Sequence, residues 1–420
     1  MNSAMQWDWE TKEKHFAIGA WHDTYAWVEE PCVSPDGEKI AAIVRLEDES
    51  FAACVNGNEW PAAFEKIWHL RFAPDGRLTA LVSEEMQWTL AVDGHPWENR
   101  FDYVWSPQFS ADGSHMAVAF QQGLQYGMVT QDTPWEQRFS NMTEMAISAD
   151  GKQSAATVQV ETFNEGDIHA FEKGLFTSAV NGVPWPKRFV NVWGNTFSDC
   201  GTHLAAEVRL NREEYTIAVD AECWPQSYAM VWEPCFKPGG TSVCAPVRTA
   251  NGWTIARDGE IVWPRCFQQC WHQQYRPDGQ GMAAIVAPAF GKWTVAIDGV
   301  PWRSRADEFL TDMVFSPDGR RLAVLAKSGG RWTVWVDDRA WKNDFNRLWP
   351  PVFSPDGEHV AVKVQHNGRY TIAVNDRILG LDCDAVWPPV FNPSGSKVLV
   401  RSIEKGTYHR RILSVGEIIK

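Results

Sequence analysis

The sequence predicts an all-β chain assembled from short antiparallel strands, and three observations carry that prediction. A turn of the form Pro-Asp-Gly, or a relic of it, recurs along the whole of the 420 residues. Its glycine falls at Gly37, Gly76, Gly113, Gly151, Gly201, Gly240, Gly279, Gly319, Gly357 and Gly395, at spacings of 37 to 40 residues except for one of 50. Between the turns, apolar residues alternate at the period of two that a strand requires, and no stretch keeps the helical period of 3.6.

The clearest copy begins Leu348-Trp349-Pro350-Pro351-Val352-Phe353-Ser354-Pro355-Asp356-Gly357. Trp349, Pro351 and Phe353 share one face of a first strand. Pro-Asp-Gly then supplies a fixed φ, a local hydrogen bond and a positive φ for the turn. The second strand is a short apolar run: Val360 to Val364 here, Ile40 to Val44, Met282 to Val286 and Leu322 to Ala326 elsewhere. It is apolar on both faces, which predicts cover on both sides, and its alanines let neighbouring sheets approach closely. A variable polar loop leads to a third strand, best seen in Trp88 to Val92 and Trp293 to Ile297, closed by Asp-Gly, a strong short hairpin signal. A Pro-Trp segment, as in Pro96-Trp97 and Pro301-Trp302, forms a fourth strand and runs into the next copy.

Four strands of ~5 residues with connections of ~4–5 fill ~39 residues, the repeat of a four-stranded blade. The fold class expected is therefore all-β: a β-propeller built from ten four-stranded repeats. One ten-bladed ring is favoured because the repeat runs without a linker; two five-bladed rings are the alternative. Residues 1–15 read as an N-terminal tail and 16–420 as the propeller. The last copy lacks its Pro-Trp strand. Phe16 to Gly19 and Trp21 to Trp27 resemble degenerate third and fourth strands that would close the ring by pairing with residues 397–415.

There are 24 Trp, against 8 Tyr. Seven lie eight residues before the turn glycine (Trp68, Trp105, Trp193, Trp232, Trp271, Trp349, Trp387), four open the third strand (Trp88, Trp253, Trp293, Trp332) and eight follow the Pro-Trp pattern. Position-locked rings of this size point to packing between blades, with the Pro-Trp class nearer a rim.

The formal net charge is −14, which argues against non-specific binding to nucleic acid or anionic lipid. No apolar run reaches the ~18–20 residues of a membrane span. The N-terminus lacks the basic and apolar regions of a signal peptide. Nine scattered cysteines suggest free thiols in a reducing compartment.

Motifs for chemistry are sparse. Gly-x-Ser-x-Gly, the phosphate-binding Gly-x-x-x-x-Gly-Lys-Ser/Thr and Cys-x-x-Cys-His do not occur. Cys266, Cys270 and His272 place three soft ligands in seven residues without an evident fourth, so a structural role is preferred to zinc. Asp93, Asp220, Asp258, Asp298 and Asp337 each end a third strand, where the hairpin demands Asp or Asn. No catalytic, cofactor-binding or metal-binding residue is assigned. Glu47-Asp48-Glu49, Glu84-Glu85 and Glu213-Glu214 fall in the loops between second and third strands and so share one rim, either solvated or a docking face. The 50-residue spacing marks an insertion of roughly 161–174 with apolar Phe163, Ile168 and Phe171, and Phe176 just beyond it. With the polar-flanked pair Trp7 and Trp9, these are the candidate partner interface; a tail folded back onto the ring is the other reading of the pair.

The repeat style resembles the TolB-like, WD40-like class. Full-length Trp-rich repeats without a cofactor motif resemble the TmcD family, the tryptophan-rich subunit of the Tmc transmembrane redox complex of sulfate-reducing bacteria. That resemblance implies a cofactor-free cytoplasmic subunit, peripherally attached to the membrane through its partners. Those partners would be a membrane cytochrome b, an iron–sulfur subunit of the heterodisulfide-reductase type and a multihaem cytochrome c3. Electrons would pass from the cytochrome c3 to menaquinone or a cytoplasmic acceptor, the present chain acting as scaffold. A propeller enzyme of lyase or lactonase type with a site at the channel mouth, and a free-standing TolB-like adaptor, are the alternatives.

Overall fold

The computed structural model describes residues 6–162 and 171–419. Ten antiparallel sheets follow one another around one ring, nine of them spanning 28–59, 66–96, 103–134, 142–184, 191–223, 230–261, 269–301, 309–340 and 347–378. The tenth combines residues 385–414 with the N-terminal strand Glu13–Ala17. In those nine blades the strands pair in chain order, first to second to third to fourth; in the tenth the outermost strand is Glu13–Ala17.

The second strands are buried on both faces, as in Ile40–Arg45 and Leu322–Ser328, because each blade is covered by two neighbours. Each apolar cluster between blades draws on two consecutive sheets. Ala205 and Ile217 of blade 5 pack with Val231 and Val247 of blade 6. Val33 and Ile40 of blade 1 pack with Ile403 and Tyr408 of blade 10. Two five-bladed rings would instead join blade 5 to blade 1, so these two interfaces establish one ten-bladed ring.

The turn between first and second strands joins the blades as well as the strands. In blade 1 the Ser34 hydroxyl donates to Asp36 and accepts from the Lys39 N–H at 2.9 Å. The same serine recurs, buried, at Ser110, Ser148, Ser316 and Ser354. Its hydroxyl holds the carboxyls of Asp150, Asp318 and Asp356 below their ordinary range. The glycine sits against the preceding blade: at Gly113, φ is +78° and a Cβ would fall 2.4 Å from the Asp75 nitrogen. At the other hairpin, Asp93, Asp220, Asp258, Asp298 and Asp337 have φ of 48–52°, and each accepts the N–H of the residue that opens the second strand. They are turn residues rather than a carboxylate ring.

Closure departs in detail from the pattern expected of the termini. The third strand of blade 10 is Thr407–Ser414, and Glu13–Ala17 pairs with it as the outermost strand, from Glu13 opposite Arg411 to Ala17 opposite Thr407. Pairing thus begins three residues inside the stretch read as tail. Ile18–Ala20 and Trp21–Thr24 are helical turns, not a strand, because the outer position is already filled. Blade 10 then clasps the first turn of blade 1. Arg401 Nη1 donates to the Ser34 and Pro35 carbonyls at 2.9 and 3.1 Å, and its Nη2 to Pro388. Tyr408 Oη donates to Gly37 O at 2.7 Å, and Arg410 Nε to Asp36 O at 2.9 Å. Burial lowers the Arg401 pKa to about 10, so it stays charged at neutral pH.

Candidate functional site: the aromatic rim

The first strand of most blades breaks register just after its tryptophan position. The residue at the break takes a left-handed conformation: Glu30, His69, Ser106, Glu144, His272 and Asp312 all have φ near +50°. This bulge turns the tryptophan toward the rim that carries the loops between second and third strands. There it packs against the aromatic that opens the third strand of its own blade. Ring centroids lie 4.5 Å apart for Trp68–Trp88, 4.4 Å for Trp271–Trp293 and 5.5 Å for Trp232–Trp253.

The tryptophan classes divide differently from the expectation: Trp88 and Trp253, which open third strands, are buried as expected, and the first-strand rings are not. No first-strand tryptophan is buried: Trp68 and Trp232 remain 42 and 39% exposed, and Trp27, just before the first strand of blade 1, 45%. The Pro-Trp rings carry more of the packing: Trp60, Trp135, Trp224 and Trp263 are buried between blades. Trp135 also donates its indole N–H to Ser154 Oγ at 2.9 Å. Tyr103 and Phe309, two residues before the first-strand position, are exposed as well. On the same rim, Met86, Leu124 and Phe290 stand out at loop tips, the last 98% exposed. The acidic triplet 47–49 and Glu84-Glu85 flank them.

Of the candidate interface residues, Trp7 and Trp9 stack on each other at 6.0 Å. Trp9 is buried against Leu399 and Ile412 of blade 10, with half-buried Trp7 beside it. This pair is folded back onto the closing blade. Phe163 and Ile168 lie outside the described residues. Phe171 is half-buried. Phe176 opens a third strand and packs with Trp185 at the interface of blades 4 and 5. Next to Phe171, Glu172 pairs with Arg212 at 2.5 Å, which ties the end of the insertion to blade 5.

A cavity of 380 Å³ is lined by Trp193, Glu207 and Tyr215 of blade 5, Glu144 of blade 4, and Trp232 and Glu233 of blade 6. A second cavity of 270 Å³ shares Trp232 and Glu233 and continues to Trp271, His272 and Phe309. Glu207 is only 8% exposed and has no hydrogen-bond or ion-pair partner among the described residues. Burial, with Glu233 and Glu144 adding like charge, pushes its carboxyl up to about 8. The sequence reading missed Glu207. The signal was there: it stands directly opposite Trp193 in a strand whose counterparts at that register are Ile43, Leu81, Ile285 and Leu325.

Cys266, Cys270 and His272 do not form a ligand set. Cys270 is buried in the core with its thiol pKa raised, and His272 is exposed. Among the described residues no group of three His, Cys, Asp or Glu is placed to hold a metal ion, and no helix is long and apolar enough to cross a membrane.

No protein-family model matches the chain, and no curated protein matches it. Among solved structures it is similar to the Dos1 propeller, at 12% identity over 96% of this chain and 95% of that one, with a TM-score of 0.37. It is also similar to the Cps50 (Swd1) β-propeller domain of Myceliophteria thermophila, at 14% identity over 74% of this chain and 97% of that one, with a TM-score of 0.30. These likenesses carry no argument about function.

Proposed function

We propose that the chain is a non-catalytic interaction subunit of a membrane-bound electron-transfer complex, docked through its aromatic rim. The observation that carries this reading is the set of large apolar side chains left exposed on one rim: Trp27, Trp68, Met86, Tyr103, Trp232, Phe290 and Phe309. Burying such side chains releases free energy in proportion to area, and Trp and Tyr dominate the centres of protein interfaces. The kind of partner follows from the resemblance of the repeats: a membrane cytochrome b, an iron–sulfur subunit and a multihaem cytochrome c3, with the propeller on the cytoplasmic side. The test is co-purification from detergent-solubilised membranes of the native host. Haem absorbance with stoichiometric partner subunits is the expected result; a colourless, solitary chain overturns the reading.

A second reading has one observation in its favour. A carboxyl pushed up to about 8 in a cavity is what a general acid at neutral pH requires, and Glu207 has it. On this reading the protein is a propeller lyase or lactonase. Turnover of a uronate polymer or a lactone, abolished by Glu207→Gln, would establish it.

A further inference from the structure

The strand-two position that faces the first-strand aromatic is ionisable in three blades: Glu207 in blade 5, Lys363 in blade 9 and Arg401 in blade 10. Blade 9 shows what the ring pair beside this position accommodates. The Lys363 ammonium lies 4.4 Å from the Trp349 ring centroid and 5.6 Å from that of Tyr370. Blade 5 repeats the pair as Trp193 and Tyr215, 6.5 Å apart and inclined by 22°. Its strand-two residue is a carboxylate instead of the ammonium. Glu207 is more than nine-tenths buried, lines the 380 Å³ cavity and has no hydrogen-bond or ion-pair partner among the described residues. A buried carboxyl without a partner costs several kcal/mol when ionised.

We propose that this cavity is a binding site for an alkylammonium ion, whose head would lie against Trp193 and Trp232 and be neutralised by Glu207. Aromatic faces attract cations through the ring quadrupole, and quaternary ammonium groups are held this way. Glu144 and Glu233, joined by Glu207 once it ionises, exclude an anion. A bare metal ion fits poorly, since aromatic walls replace the close oxygen ligands it requires. Among the described residues the cation beside these rings is Arg209, 5.5 Å from the Tyr215 centroid, and its guanidinium is engaged by the carbonyls of Asn211 and Arg212. Binding also displaces a proton from Glu207, so affinity rises with pH through about 8. The site goes beyond the docking reading and stands or falls separately from it.

The test uses the full chain, titrated with choline and with its neutral isostere 3,3-dimethylbutan-1-ol, by tryptophan fluorescence and calorimetry. Choline should bind one to one, about tenfold or more tighter than the isostere. It should release up to one proton per site near pH 7, with the affinity rising toward pH 9. Glu207→Gln should lose about tenfold and the proton release, with its far-ultraviolet spectrum unchanged. Trp232→Leu, at an exposed ring, should lose the preference for the cation. A peptide bearing one trimethyllysine separates the sources: tighter binding than choline points to a partner's side chain, equal binding to a free small cation. Equal affinity for cation and isostere, no effect of Glu207→Gln, or no saturable choline binding would each overturn the proposal. None of these outcomes bears on whether partner subunits co-purify.

Discussion

Glu207→Gln should make the protein's stability less dependent on pH, and the size of the effect follows from the burial of this one carboxyl. Its pKa moves from an ordinary 4.5 to about 8 in the fold. Below about pH 4.5 the group is protonated whether the chain is folded or not, and contributes nothing. Between 4.5 and about 8 the unfolded chain has lost this proton and the folded chain keeps it. Unfolding then releases a proton, so stability falls as pH rises through that window and levels off above it. At ~1.4 kcal/mol per pH unit the loss approaches roughly 4–5 kcal/mol above pH 8, an upper figure because water reaches the cavity. Glutamine keeps the shape and has no proton to lose. Urea denaturation of both proteins from pH 5 to pH 9, followed by tryptophan fluorescence, reads the difference. The variant should gain on the parent steadily across the window. A difference that stays flat, or that favours the parent as pH rises, refutes the account of Glu207 as a buried carboxyl without a partner.

Other consequences can be measured directly. Arg401→Met removes the guanidinium that serves three carbonyls at the closure and should cost about 2–4 kcal/mol, seen as a lower urea midpoint with unchanged slope; a loss under ~0.5 kcal/mol would mean the clasp does not hold the ring. Gly113→Ala should cost about 2–4 kcal/mol, because its Cβ meets the Asp75 backbone, whereas Gly123→Ala, at φ of +56° in open space, should cost only about 1 kcal/mol. Equal losses at the two sites would sink the argument from close approach. Cys200 is exposed and hydrogen bonds with Ser198 and Thr202 lower its thiol to about 7, so iodoacetamide should modify it first, at a rate rising through pH 7. Faster labelling of Cys223 would contradict this.

What the sequence made legible was local. Pro-Asp-Gly, Asp-Gly and the two-faced apolar run are decided within ten residues of themselves, so the four strands of each blade and their number could be read directly. Asp93 and its counterparts were read correctly as turn residues because φ near +50° is a local demand. What depended on neighbouring blades was less visible. The first-strand tryptophans face the rim rather than the packing because the bulge at residues such as His69 turns Trp68 outward, and nothing in its own strand announces a bulge. Glu13–Ala17 carries no repeat mark, and its partner Thr407–Ser414 lies at the far end of the chain. The cavity around Glu207 is assembled from blades 4, 5 and 6, so only the odd carboxylate in an apolar strand pointed to it. Trp9 could be read as a docking residue or as a folded tail, and only the position of Leu399 and Ile412 decides that it is buried.

The aromatic rim is the central claim, and a double substitution tests it most directly. Trp68→Ser with Phe290→Ser removes two exposed rings on one rim; losing the Trp68–Trp88 contact should cost about 1–2 kcal/mol, and losing Phe290, 98% exposed, next to nothing. The tagged parent and the tagged variant would each be recovered from solubilised membranes of the native host. The account predicts haem absorbance and stoichiometric cytochrome and iron–sulfur subunits with the parent, and their loss with a variant that still unfolds cooperatively in urea. A variant that recovers the same partners in the same amount, or a parent that recovers none, would contradict it.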